Sequence, residues 1–244
     1  DYLILGKLFT STILGYYAFA YNIMYTPVKR ISNLFSEVLF PSFSSFQNDK
    51  QKIIGGYFKS LTLVAMISIP AMTFLAFNAE LIIQSIFGHK WDGAIPIVKI
   101  LCFAGAIQSI SQFGNIIFSS IGKPEVSMYV SLCRTFLTVL AIVIGAQYGV
   151  LWVAYSLVIT KLLSYIIFLG VLKYQIPFSL GQLFNSLKGP LVTLISLSAV
   201  YVLYVLKYYE INPWILLITM LIVATTTTYL FHKKIMIDII KVLK

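Results

Sequence analysis

Four cationic side chains lie far inside apolar stretches of this sequence. Lys29 and Arg30 fall in one such stretch, Arg134 in a second and Lys161 in a third. A charge at the centre of a membrane costs at least ~2.5–3.5 kcal/mol on insertion scales, so these side chains must face protein or water rather than lipid. Guanidinium and ammonium groups pair well with phosphate oxygens. The chemistry that these cations indicate is therefore the binding of an anionic substrate.

Polar side chains recur at helical spacing along four apolar stretches, each forming a stripe on one helix face. The stripe between Gly15 and Pro41 is Asn22, Thr26, Lys29 or Arg30, Asn33 and Glu37. The other three stripes are Gln108, Gln112, Asn115 and Ser119, then Ser127, Ser131, Arg134 or Thr135 and Thr138, then Lys161 with Ser164. If the stripes converge, they line a hydrated, cationic chamber.

This chamber gives the predicted site residues. The predicted substrate-binding residues are Lys29, Arg30, Glu37, Arg134 and Lys161. The predicted polar residues lining the cavity are Asn22, Asn33, Gln108, Gln112, Asn115 and Ser131. In the alternative interpretation, Glu37 and the polar residues only neutralise the cations in a packed bundle, but one carboxylate cannot neutralise four cations.

The composition indicates a polytopic membrane protein. Of 244 residues, 59% are hydrophobic and only 11% are charged, whereas about 25% of the residues of a soluble domain are charged. The apolar runs last about twenty residues without alternation, the length of a membrane-spanning helix and not of a barrel strand. The predicted fold class is an all-α, polytopic transmembrane bundle.

The apolar runs predict seven complete spans, one of them over about residues 95–121, and one partial span. Because residues 1–9 are too short to cross a bilayer and the chain starts with Asp1, we expect a piece of a longer protein. We expect a transmembrane bundle over residues 1–173, an amphipathic connector with two peripheral helices over 174–231, and a basic cytoplasmic tail over 232–244.

The loop charges predict the orientation. Ten lysines fall on one side of the predicted topology and three on the other. By the positive-inside rule, the lysine-rich side, which includes the C-terminus, is cytoplasmic. The basic residues are spread singly between spans, which argues against a nucleic-acid-binding patch.

Catalytic chemistry is not indicated. The sequence has no Ser/His/Asp arrangement, carboxylate pair or metal-ligand cluster, so we expect neither an enzyme nor a metal or other cofactor.

Four segments together carry a family resemblance: DYLILGKLFTSTILGYYAFAYNI, VLFPSFSSFQNDK, IFGHKWDGAIPIVKILC and SSIGKPEVSMYV. The chain resembles the second half of the bacterial polysaccharide flippases of the multidrug/oligosaccharidyl-lipid/polysaccharide exporter superfamily, and within it the lipopolysaccharide and teichuronic acid exporters. The resemblance implies a transporter of fourteen helices in two bundles, of which this chain would hold the end of helix seven through helix fourteen.

The resemblance also implies a substrate and a location. The substrate would be an undecaprenyl-diphosphate-linked oligosaccharide, moved by alternating access across the bacterial cytoplasmic membrane for cell-surface polysaccharide synthesis. The expected partners are this substrate, membrane lipids and the N-terminal half of the same protein, with a polysaccharide polymerase as a further candidate.

Two alternative functions stay open. A drug or cation antiporter of the same superfamily would need acidic residues inside the bundle, where this sequence offers only Glu37 among the mid-span charges. An integral-membrane glycan polymerase or ligase would need a large polar outer loop, and the longest outer loop predicted here is Ala79–Ala94.

Overall fold

A computed structural model gives the architecture of this chain. The backbone is described for residues 2–45, 49–112, 114–207 and 213–243. Side chains are described for residues 4–33, 49–112, 117–206 and 213–230. Within these ranges the chain is helical throughout, apart from turns and short connections, which confirms the predicted all-α class.

Ten α-helices and one short 3-10 helix follow one another within the described residues. In chain order they are α1 (Tyr2–Leu8), α2 (Ser11–Ser45), α3 (Lys50–Phe77), α4 (Ala79–Phe87), the 3-10 helix His89–Ala94, α5 (Ile95–Ser111), α6 (Gly114–Ser120), α7 (Pro124–Ala146), α8 (Val150–Gln175), α9 (Leu180–Lys207) and α10 (Pro213–Leu243).

Six segments within the described residues are long and apolar enough to cross a membrane. They are Lys50–Phe77, His89–Ser111, Pro124–Ala146, Val150–Gln175, Leu180–Leu206 and Pro213–Leu230. The seventh predicted span is α2, which has 35 residues but carries the polar stripe and is the least apolar of the long helices. The chain is a multi-pass membrane protein.

Two boundaries differ from the sequence prediction. The span expected over residues 95–121 is divided into α5 and α6, and Gly114, a poor helix former, begins the second piece. The amphipathic connector expected at the start of the 174–231 region contains FSLGQLFNSL, residues 178–187. From Leu180 onwards this segment instead forms the first turns of α9, which continues through Pro190 into the apolar run. The residue spacing is helical across both places. The spacing alone therefore does not reveal that the helix is interrupted in the first place and continuous in the second.

The helices pack around α5 and α3. Helix α5 contacts α2, α3 and α8, and α8 also packs along α7. Helix α9 packs on α3, and α10 packs mainly on α9. The bundle that holds the predicted site is thus α2, α3, α5, α7 and α8.

Two hydrophobic clusters lie one above the other along these helices. The first includes Tyr17, Met24, Leu101 and Leu157. The second includes Tyr57, Ile110, Tyr165 and Phe168. On α5 and α8 the buried side chains of the first cluster lie towards the start of each helix and those of the second towards its end.

The connector from α4 to α5 is fixed to α2 by aromatic contacts. The rings of Phe19 and Trp91 are stacked, with centroids 4.0 Å apart. A Cβ added at Gly93 would lie 2.5 Å from the ring of Tyr16, so only glycine permits this close approach. These contacts hold α2 against α5 at one end of the bundle.

Candidate functional site: a cationic pocket and an exposed polar stripe

A cationic pocket lies between α5, α7 and α8, beside the second hydrophobic cluster, to which its lining residue Phe168 belongs. It has a volume of about 250 Å³. The residues that line it are Gln108, Ser111, Gln112, Val130, Arg134, Lys161, Ser164 and Phe168. Three of the four predicted stripes therefore converge, because α5, α7 and α8 each turn polar side chains towards the same space.

Close packing of α7 against α8 places Arg134 opposite Lys161. The two helices are joined by a short turn at Gly149, whose φ of 113° favours glycine. Near this turn a Cβ at Gly145 would lie 3.0 Å from the backbone oxygen of Trp152, so the two helix backbones approach closely there. Small residues at such crossings let helices meet in a membrane.

Local hydrogen bonds orient one wall of the pocket. The Arg134 guanidinium donates to the Ser131 hydroxyl at 3.4 Å. The hydroxyls of Thr138 and Thr160 each donate to the backbone oxygen four residues earlier on their own helices. These bonds satisfy the hydroxyls of Thr138 and Thr160, and they leave the Lys161 ammonium and the remaining N–H groups of Arg134 for the pocket.

Three oxygen atoms at the pocket have no hydrogen-bond partner among the described protein atoms. They are Oε1 of Gln108, Oε1 of Gln112 and Oγ of Ser164, and each is buried. Gln108 and Ser164 are only 9% and 8% exposed. A buried polar group without a partner is costly, so the pocket is suited to a polar occupant.

The polar stripe of α2 does not line this pocket. Tyr17, Ala20, Met24 and Val28 form the buried face of α2. The exposed residues Asn22, Thr26, Lys29, Arg30 and Asn33 lie on the opposite face, directed away from the bundle. The predicted single chamber is thus divided into an exposed polar stripe on α2 and a pocket between α5, α7 and α8.

The predicted site residues fall into three groups. Gln108, Gln112, Arg134 and Lys161 meet at the pocket, with Ser131 behind Arg134. Lys29, Arg30, Asn22 and Asn33 form the exposed stripe. The side chains of Glu37 and Asn115 lie outside the described residues.

Sequence reasoning did not single out three of the lining residues. Ser111 lies next to Gln112 but off the predicted stripe, and its hydroxyl donates to the backbone oxygen of Gln108 at 3.0 Å. Val130 and Phe168 are apolar and carry no sequence signal for a site. Among the described residues, no group of His, Cys, Asp or Glu is arranged to hold a metal ion.

Together these features define a class of protein: an all-α, multi-pass membrane protein with a cationic pocket between its helices. A family model described as "Polysaccharide biosynthesis protein" matches residues 1–96. The lipopolysaccharide biosynthesis protein WzxC of Escherichia coli (strain K12) is 30% identical over 59% of this chain and 30% of its own length. The teichuronic acid biosynthesis protein TuaB of Bacillus subtilis (strain 168) is 26% identical over 78% of this chain and 40% of its own length.

A solved structure shares the fold. The lipid II flippase MurJ, in an inward closed conformation, superposes with a TM-score of 0.70 at 15% sequence identity, covering 97% of this chain and 50% of that chain. The chain spans less than half of the length of the two biosynthesis proteins above. These comparisons confirm a resemblance to polysaccharide biosynthesis proteins, and they show that the chain has the fold of a flippase half.

Proposed function

We propose that the protein containing this chain moves a lipid-linked oligosaccharide, carried on undecaprenyl diphosphate, across the bacterial cytoplasmic membrane by alternating access. The observation that carries the proposal is the exposed polar stripe on α2. Lys29 and Arg30 lie there on the face opposite the packed one, and lipid cannot solvate them. A second bundle facing this stripe would enclose a hydrated passage between the two.

The anionic part of the substrate would meet this stripe. Arg30 can bind phosphate oxygens with two parallel hydrogen bonds, and Lys29 adds a second positive charge. The exposed side chains of Asn22 and Asn33 would form hydrogen bonds with the sugar hydroxyls on the same face of α2. Two relatives are named for lipopolysaccharide and teichuronic acid biosynthesis, and the structural neighbour is named a lipid II flippase. These names support a lipid-linked glycan as the class of substrate.

The antiporter alternative receives less support from the pocket. A site for protons, sodium or cationic drugs needs carboxylates, and the residues that line the pocket include two cations and no Asp or Glu. A polysaccharide polymerase that uses the translocated oligosaccharide is a candidate partner of the transporter.

The direct test is translocation by the intact protein in sealed vesicles. A fluorescently labelled lipid-linked oligosaccharide is placed in one leaflet, and its arrival in the other is followed by an impermeant quencher. We expect movement in vesicles with the protein and none in protein-free vesicles. Movement of a cationic dye, with none of the oligosaccharide, would overturn the proposal in favour of the antiporter.

The proposed orientation makes a separate prediction. The loop before α3 and the C-terminus are expected on the cytoplasmic side, and the α4–α5 connector on the outer side, because ten loop lysines against three mark the cytoplasmic face. Asn48, in that loop, lies outside the described residues. Gln51, at the start of α3, is exposed.

Cysteine labelling in intact cells checks this orientation. In a background without other accessible cysteines, Gln51→Cys should resist an impermeant reagent until the cells are permeabilised. His89→Cys in the connector is the matched outer-side control and should be labelled at once. Labelling of Gln51→Cys in intact cells would contradict the orientation.

A further inference from the structure

The pocket between α5, α7 and α8 has an excess of positive charge. Arg134 and Lys161 both line it, and their charges repel each other. Among the described lining residues there is no carboxylate to offset them. Two cations in a pocket between packed helices are stable together only when an anion or water reaches them, because burying an unpaired charge is costly.

A bare anion would leave the rest of the pocket unsatisfied. The amide oxygens of Gln108 and Gln112 that lack partners are hydrogen-bond acceptors, and a halide has no hydrogen to donate to them, whereas the Ser164 hydroxyl both donates and accepts. A ligand that carries both a charged oxygen and hydroxyl groups would satisfy the cations and these acceptors together. The amide groups of Gln108 and Gln112 also have N–H donors, so each can either donate a hydrogen bond to a ligand hydroxyl or accept one from it.

The size of the pocket limits the ligand to a single small unit. Its volume of about 250 Å³ lies below the roughly 300–1,000 Å³ of pockets that enclose drug-sized molecules. One sugar ring or a hydrated phosphate fits this space, whereas a whole oligosaccharide does not. Phe168 and Val130 supply apolar surface at the pocket, as needed for the apolar face of a sugar ring.

We propose that this pocket binds one hydroxylated oxyanion, the chemistry shared by an acidic sugar with a carboxylate and by free hydrogen phosphate. Arg134 and Lys161 hold the charged oxygens, while Gln108, Gln112 and Ser164 bind the hydroxyl groups. The site is separate from the exposed polar stripe on α2. The acidic-sugar source rests on the proposed function, because that sugar would be part of the carried oligosaccharide; the phosphate source does not.

The test is ligand-induced stabilisation of the intact protein in detergent at constant ionic strength. Glucuronate, inorganic phosphate, glucose and chloride are titrated separately, and the shift in thermal unfolding midpoint gives an apparent Kd. We expect stabilisation by glucuronate or phosphate and none by glucose or chloride. Stabilisation by glucuronate assigns the site to an acidic sugar, and stabilisation by phosphate alone assigns it to free phosphate.

Three variants locate the binding. Lys161→Met and Arg134→Gln should each weaken it by about tenfold or more, since each removes a charge-assisted hydrogen bond. Lys173→Met is the matched control, because Lys173 is an exposed cation on the same helix outside the pocket. Should Lys161→Met fail to fold, Arg134→Gln carries the same test.

Several results would overturn the proposal. They are no stabilisation by either oxyanion, an equal response to glucose or chloride, or unchanged binding in both pocket variants. The vesicle assay reports on the proposed function separately. Translocation that persists while pocket binding fails would remove the oxyanion site and leave the transport proposal standing.

Discussion

Translocation of the lipid-linked oligosaccharide is expected to fall roughly tenfold to a hundredfold when Arg30 is replaced by alanine in the intact protein. A hydrogen bond to a charged group contributes about 1.5–3 kcal/mol, and a rate falls tenfold for each 1.4 kcal/mol lost in the transition state. Arg30 lies on the exposed face of α2 and not in either hydrophobic cluster. The loss should therefore affect transport without lowering the unfolding temperature.

Two further variants separate charge from geometry. Arg30→Lys keeps the positive charge but cannot bind phosphate bidentately, so it should restore only part of the rate. Lys59→Ala removes an exposed cation from α3 and should leave the rate unchanged. Wild-type translocation by correctly inserted Arg30→Ala would show that the exposed cation is not used on the substrate.

The second large effect is expected at the crossing of α7 and α8. A Cβ at Gly145 would meet the backbone of Trp152 and the hydroxyl of Ser156 at about 3.0 Å, and backbone cannot yield without moving a helix. Gly145→Leu should therefore destabilise the protein by about 1–3 kcal/mol, the usual cost of overpacking. It should also weaken oxyanion binding, because the same crossing positions Arg134 against Lys161.

Gly170→Leu is the matched control for that experiment. A Cβ at Gly170, on α8, meets nothing within 4 Å, so the same substitution there gains helix propensity without a clash. Thermal unfolding in detergent compares the two variants. Equal unfolding temperatures would show that α7 and α8 can separate at little cost, contrary to the close approach at Gly145.

The sequence predicted which residues share a helix face, and the structure adds which neighbour each face meets. Helical spacing placed Gln108 and Gln112 on one stripe and Arg134 on another, and both stripes do reach a common pocket. The same rule could not separate Lys29 and Arg30 from that pocket. Their stripe lies opposite the packed face of α2, and the side on which a helix packs depends on contacts distant in sequence.

Two other features were beyond sequence reasoning for specific physical reasons. The division between α5 and α6 falls where the polar stripe continues at helical spacing from Gln112 to Asn115, so the pattern does not mark it. The role of Val130 and Phe168 at the pocket depends on their position where the second hydrophobic cluster borders it, not on their residue type. By contrast, the fold class followed directly from the length of the apolar runs.

The exposed face of α2 also bears on how the protein is made. Each of Lys29 and Arg30 adds roughly 2.5–3.5 kcal/mol to the cost of partitioning a helix centre into lipid, and Asn22 and Asn33 add to this. Alone, α2 would be the most difficult helix of this bundle for the insertion machinery to release. Insertion of α2 into the membrane would then depend on polar surface from elsewhere in the protein. The hydrated passage along α2 would therefore assemble at the same time as α2 enters the membrane.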